Sequence, residues 1–200
     1  MKKTCLLVAA VVVMIANSAM ADSIAGKFGV TARGGFIVPA DSEDVGVTVS
    51  SDAGWAVGGG LIYGITENIA ADLDVTHSEF DQNELGFKLG TAKTTDIAFG
   101  LQYRFMPKSA LVPYVGAGVD IILNDFDVVT GLISADIDTS VGGHLSAGVD
   151  YFITKQVALN AEFKGVLGTT NDIKVGGIQT GAKFDPSNFS GLFGVRIFFK

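Results

Sequence analysis

Only two histidines occur in the 200 residues, so side chains that change charge near neutral pH are confined to two places. His77-Ser78-Glu79 sets an imidazole, a hydroxyl and a carboxylate side by side, and His144 and Ser146 share one face of an extended segment. A base beside a nucleophile is what acyl transfer requires, but positions i and i+2 of one strand do not by themselves give the geometry of attack. No G-x-S-x-G elbow, phosphate-binding glycine loop or paired metal-ligand motif occurs. Cofactors, metals and catalytic residues are therefore not expected. The one cysteine is Cys5, which excludes disulfides and thiolate metal sites from the rest of the chain.

The second chemically capable set is larger. Arg33, Asp72, Asp74, Asp96, Arg104, Asp120, Asp150, Glu162, Lys164 and Arg196 each lie inside a stretch that is otherwise largely apolar. Each also sits at the opposite parity from the apolar residues around it. Phe28, Val30, Ala32, Gly34, Phe36 and Val38 form one such apolar row, and Phe189, Gly191, Phe193, Val195, Ile197 and Phe199 another. Successive side chains of a strand point to opposite faces, so this alternation puts the apolar row on one side of a sheet and every charge on the other. A cation facing lipid at mid-membrane costs roughly 2–4 kcal/mol, and the segregation is the one a bilayer enforces on an outward face. A soluble barrel would carry its polar residues outside.

Eight such stretches of about ten residues follow residue 21, joined by connections of alternating length. Residues 64–68, 106–112 and 152–156 are short, whereas 39–54, 76–94, 124–140 and 168–188 are long. The pattern predicts an all-β fold: an eight-stranded antiparallel transmembrane β-barrel with short periplasmic turns and four long extracellular loops. Phe28, Tyr63, Tyr103, Phe105, Tyr151 and Phe199 all fall at the turn ends of their strands, where an interfacial aromatic girdle belongs.

The first 21 residues are read apart. Lys2 and Lys3, the apolar run Leu6 to Ala16, and Ala19-Met20-Ala21 form a secretory leader with an A-x-A cleavage site, so residues 22–200 are expected as one barrel domain in the cell outer membrane. Two of the 14 basic residues leave with the leader, against 21 acidic residues that stay. That balance argues against nucleic acid as a partner. The expected partners are outer-membrane lipid, lipopolysaccharide and the barrel-insertion machinery, which reads a final strand such as Phe189 to Phe199.

Eight strands leave an interior that side chains nearly fill, so any cargo must be small. Ile37, Ile122, Val166 and Leu192 face inward at the loop end and form an apolar mouth fit for a small hydrophobic solute. At and below mid-height the inward row supplies a polar plug of Arg33, Asp72, Asp74, Arg104, Asp150, Glu162, Lys164 and Arg196, with Gln102, His144 and Asn160 among them. Desolvating paired charges is costly, so such a layer would block descent and turn a solute sideways. The competing reading has the mouth residues packing against loop stubs and the charges serving only to close the barrel.

Three stretches resemble the OmpW family of small outer-membrane barrels: Leu101-Gln102-Tyr103-Arg104-Phe105, Pro113-Tyr114-Val115-Gly116-Ala117-Gly118-Val119-Asp120, and Ala147-Gly148-Val149-Asp150-Tyr151. Phe184-Asp185-Pro186 with Gly194-Val195-Arg196-Ile197-Phe198 resembles that family's closing strand, and Val38-Pro39 its opening. Where the family has Pro-Phe before a histidine, this chain reads Asp74-Val75-Thr76-His77. The resemblance implies a narrow channel for small apolar molecules with a side opening into the membrane, and a surface to which phages and bacteriocins attach. Two other readings stay open: a closed receptor barrel that works through its loops, and a lipid A-modifying barrel enzyme using His77-Ser78-Glu79 at the rim.

Overall fold

The computed structural model describes residues 23–199 except 45–46, 85–86, 129–133, 138 and 176–177. The leader expected over 1–21 lies outside the described residues. Eight long strands carry the fold: β1 (Phe28–Pro39), β2 (Gly54–Gly64), β3 (Ile69–Glu84), β4 (Phe87–Arg104), β5 (Leu111–Val128), β6 (Ser140–Phe152), β7 (Val157–Gly168) and β8 (Asn188–Phe199). Each is hydrogen-bonded antiparallel to the next. β8 closes on β1, with Phe28 opposite Phe199 and Pro39 opposite Asn188. Closure leaves the barrel no unpaired edge, the condition for a sheet to sit in lipid.

The apolar row faces out along every strand. Leu145 is 73% and Leu167 79% exposed, as are Phe28, Leu61, Leu101 and Val119 to lesser degrees. All ten charges of the opposite row face the lumen, and eight of them are buried outright, Asp72 and Asp96 being half-buried. The burial pattern is that of a soluble protein turned inside out, and a bilayer is the solvent that makes it stable.

Two of the three short turns share a device that the sequence repeats as Ile-Thr-x-x. In the first, the Thr66 hydroxyl accepts from the backbone N–H of Asn68 at 3.2 Å and of Ile69 at 2.9 Å. In the third, the Thr154 hydroxyl accepts from Gln156 at 3.2 Å and from Val157 at 3.0 Å. Each threonine thus satisfies turn amides that the ladder leaves free. Before β1, Gly26 adopts a left-handed conformation with φ 70, which folds Ile24 back under the barrel and brings Gly26 N within 2.7 Å of Gly64 O.

The expected loop 76–94 is corrected: β3 and β4 continue through it as a hairpin, paired from His77 opposite Thr95 to Glu84 opposite Phe87. β5 runs on to Val128, and 39–54 and 168–188 carry the short hairpins Ser42–Asp44 with Val47–Ser51 and Asn171–Val175 with Ile178–Phe184. Ser134–Ile137 joins β5 to Asn171–Val175, so the loop end extends the barrel wall. The apolar row stops at Val75 because the bilayer stops there. Backbone pairing has no such limit, and above the membrane outward His77 and Glu79 are as acceptable as leucine.

Candidate functional site

The lumen is layered. At the turn end Ile24, Ile62, Ala70, Val112, Phe152, Ala158 and Phe198 pack into an apolar floor, with Phe152 stacked on Phe198 at 5.7 Å between centroids. This floor went unnoticed at the level of sequence, although its strand members occupy the inward parity.

Above it lies the ionic layer. Asp150 Oδ2 accepts from Arg104 Nη2 at 2.7 Å and from Arg196 Nη1 at 2.8 Å, and its Oδ1 accepts from Asn160 Nδ2 at 2.7 Å. Arg33 forks onto Asp74 and Glu162, both at 2.6 Å. Tyr114 links the two groups: its hydroxyl donates to Glu162 Oε2 at 2.8 Å and accepts from Asn160 Nδ2 at 2.9 Å. Arg104 and Arg196 flank the Tyr114 ring at 5.8 and 5.5 Å from its centroid, and Arg196 Nε also donates to Thr31. Higher up, Lys164 bridges Asp96 at 2.6 Å and Asp120 at 2.7 Å, while His144 Nδ1 meets the other Asp120 oxygen at 2.8 Å.

Every plug residue expected from the sequence lies in this layer. Asp96, Asp120 and Tyr114 belong to it as well. Their inward parity was legible, but their partners were not, because Lys164 reaches Asp96 from a strand on the far side of the ring. Asp72 differs from the other carboxylates in having no cation within ion-pair distance among the described residues. Its carboxylate fits because Gly100 lies opposite it, and a Cβ there would come within 2.9 Å of Asp72 Oδ2.

Gly148 makes the same kind of room for Tyr114. A Cβ at Gly148 would stand 2.4 Å from the Tyr114 ring and hydroxyl and 2.7 Å from the Ala161 carbonyl. Gly148→Ala is expected to cost about 1–3 kcal/mol by overpacking, measured as a lowered urea midpoint of the refolded barrel. Adding Tyr114→Leu should recover part of that loss, and no recovery would mean that the Ala161 carbonyl, not the ring, sets it.

Ile37, Ile122, Val166 and Leu192 all face the lumen and are buried. Ile37 and Leu192 pack with Ala56, Ala92 and two rings the sequence reading did not include, Phe80 from the β3 extension and Phe184 from the last loop. The mouth is thus capped. Between cap and ionic layer is a cavity of about 30 Å³ whose lining is mostly polar, with Ile37, Ile122 and Leu192 its largest apolar members and Asp72, Asp96 and Lys164 among its charged ones. At roughly 10–15 Å³ per water it holds a water or two.

The rim pair does not survive as an acyl-transfer site. His77 points outward, its Nδ1 3.0 Å from Thr95 Oγ1 and its ring edge-on to Trp55 at 5.8 Å. Ser78 points inward to Thr94 at 2.6 Å. Base and hydroxyl are on opposite faces of the wall.

A closed barrel with an apolar outer wall and an ion-paired interior defines a class, the outer-membrane β-barrel proteins. Residues 6–185 match the family model described as outer membrane protein beta-barrel domain, and the chain belongs to that family. The outer-membrane protein y4mB of Sinorhizobium fredii is 30% identical over 135 residues, spanning 63% of this chain and 58% of that protein, so the match falls short of two thirds of that relative's length. The fold is similar to that of the outer membrane protein OprG from Pseudomonas aeruginosa, with TM-score 0.73 and 18% identity over 91% of this chain and 99% of that one. It is also similar to the outer membrane protein AlkL, solved in lipid bilayers, with TM-score 0.63 and 20% identity over 92% and 95% of the two chains.

Proposed function

We propose that this barrel is a channel of the OmpW kind, which admits small hydrophobic molecules at the loop end and releases them sideways into the membrane. The observation that carries this reading is the change of chemistry along the lumen. Ile37 and Leu192 pack with Ala56, Phe80, Ala92 and Phe184 into an apolar layer directly above one in which Arg33, Lys164, Arg104 and Arg196 are each ion-paired. An apolar solute gains by inserting among these apolar side chains and gains nothing by breaking the ionic layer, whose separation would leave buried charges uncompensated. The way down is also shut by the apolar floor, so the remaining route is through the wall. Export by a cleaved leader, contact with lipopolysaccharide and delivery by the insertion machinery complete the proposal.

Flux into liposomes carrying the refolded protein tests it. A small apolar reporter should enter faster than a hydrophilic one of equal size, relative to empty vesicles. Leu192→Asp is expected to abolish the apolar flux while the barrel still folds, because a carboxylate in the apolar layer must be desolvated by every passing solute. Unchanged flux in that variant would sink the apolar layer as the route.

One observation favours a second reading. A cavity of about 30 Å³ beneath a packed cap suits a barrel that stays closed and acts through its loop-end surface as a receptor for a phage, a bacteriocin or a host molecule. Exchanging loops 39–54 and 168–188 would then change partner binding while lumen substitutions change nothing.

A further inference from the structure

Between the apolar floor and the apolar cap, six carboxylates of the inward row face four fixed cations among the described residues. Arg33 is shared by Asp74 and Glu162, Lys164 by Asp96 and Asp120, and Arg104 and Arg196 both fall to Asp150. Asp72 is left over. With every group ionised the layer would hold two negative charges in excess, and uncompensated charge away from water is costly to a fold. An imidazolium at His144, 2.8 Å from Asp120, would meet one of them. The other has no cation placed to meet it among the described residues.

Geometry puts that charge at one place. Asp72 and Asp74 are two residues apart on the inward face of β3, and their carboxyl groups are in hydrogen-bond contact. Glycines on both neighbouring strands make room for them. Gly100 lies opposite Asp72 on β4 and Gly60 opposite Asp74 on β2, where a Cβ would strike Asp74 Oδ1. Two ionised carboxylates have no hydrogen to share, so such a contact needs a proton on one of them. The other charged groups that face the pair are Arg33 from β1, Asp96 from β4, Glu162 from β7 and Arg196 from β8. Opposite the pair β2 offers only Ile62 and Gly60, neither of which titrates. Tyr114 and Asp120 from β5 and His144 and Asp150 from β6 are engaged with Glu162, Lys164, Arg104 and Arg196. Asp72 and Asp74 also line the small cavity, so the water or two that it holds can carry a proton to and from them.

We propose that Asp72 and Asp74 share one bound proton around neutral pH and that this proton is a pH-sensitive lock on the plug. Its loss sets two carboxylates against each other and loosens the Arg33 fork that joins Asp74 to Glu162. The lock is the same whether the barrel conducts or stays closed, so it stands or falls apart from the channel reading. An aspartate of the unfolded chain titrates at about 3.9. Around neutral pH the folded barrel therefore binds one proton more than the unfolded chain, and stability falls as pH rises until the folded barrel has lost that proton too. Over that range the unfolding constant grows by about tenfold per pH unit.

Urea unfolding of the refolded full-length barrel in vesicles, from about pH 5 to about pH 9, tests the lock against Asp72→Asn. The asparagine keeps the shape, is neutral at every pH, and its amide donates to Asp74 as the proton does. The variant is expected to gain on the wild type by about tenfold per pH unit over at least one unit, both histidines cancelling in the comparison. Parallel profiles overturn the proposal. Infrared spectra at neutral pH give a readout that needs no unfolding: the wild type should show a protonated-carboxyl C=O band that Asp72→Asn lacks. No such band in the wild type, or one that the substitution leaves unchanged, also overturns it. Asp72→Ser, smaller and likewise neutral, serves both measurements if the asparagine variant does not refold. A wild-type stability that follows sodium concentration at fixed ionic strength, and not pH, assigns the charge to a metal ion and overturns the shared proton.

Discussion

Asp150→Ala is expected to destabilise the barrel by about 3–5 kcal/mol and to leave little folded protein after refolding. Asp150 is fully buried, and its two oxygens accept from Arg104, Arg196 and Asn160 at 2.7, 2.8 and 2.7 Å. Truncation strands two guanidinium groups, each 1% exposed, side by side with no carboxylate in ion-pair contact among the described residues. Their remaining contacts, the Tyr114 and Phe198 rings and Thr31, offset only a fraction of that cost. A urea titration in bilayers reads the loss, and the heat-modifiable gel shift of the folded barrel reads the yield. A triple variant separates pairing from polarity: Asp150→Leu with Arg104→Met and Arg196→Met removes all three charges and their desolvation cost together. It should regain most of the stability. An Asp150→Ala barrel as stable as the wild type would mean that water reaches the ion pairs, and the layer would then block nothing.

What the sequence made legible follows from which contacts are local. The outward row could be read residue by residue because lipid imposes one rule on every position, so Leu145 or Phe193 needs no knowledge of its neighbours. Inward parity was equally legible, and it placed Arg33, Asp74, Asp150 and Glu162 correctly in the lumen. Partners were not legible, since Arg33 meets a carboxylate 129 residues away in sequence and two strands away around the ring, and which charges face each other depends on strand tilt and register together. Tyr114 shows the missed signal. It stands at inward parity, and Gly148, directly opposite it on β6, marks the space its ring needs.

Strand ends were misplaced for a different reason. Reading stopped at Val75, where outward residues turn polar, yet Ser78, Phe80 and Gln82 keep the inward alternation for three more steps. Phe80 was lost with that extension, and with it the apolar cap at the loop end of the lumen. His77-Ser78-Glu79 suffered from the same error: placed on a loop, its side chains could converge, whereas on a strand alternate parity holds His77 and Ser78 apart.

The second large effect expected is on the lipid side. Leu145→Arg should cost about 2–4 kcal/mol in a bilayer, because Leu145 lies near mid-height on the outward face of β6 and is 73% exposed. Its cross-strand neighbours, Ala117 and Gly165, are small and apolar. Nothing in the protein can receive the guanidinium, which must carry water into the hydrocarbon or reach for an interface it cannot comfortably span. The same substitution at Leu167, near the loop end of β7 and 79% exposed, should cost only about 0–1 kcal/mol, since a short reach brings the charge to the headgroups. Measured by urea unfolding in the same vesicles, the difference between the two variants locates the membrane midplane on the barrel. Equal costs would place Leu145 at an interface and shift the bilayer along the strands. The level of Trp55 in the membrane would shift by the same distance.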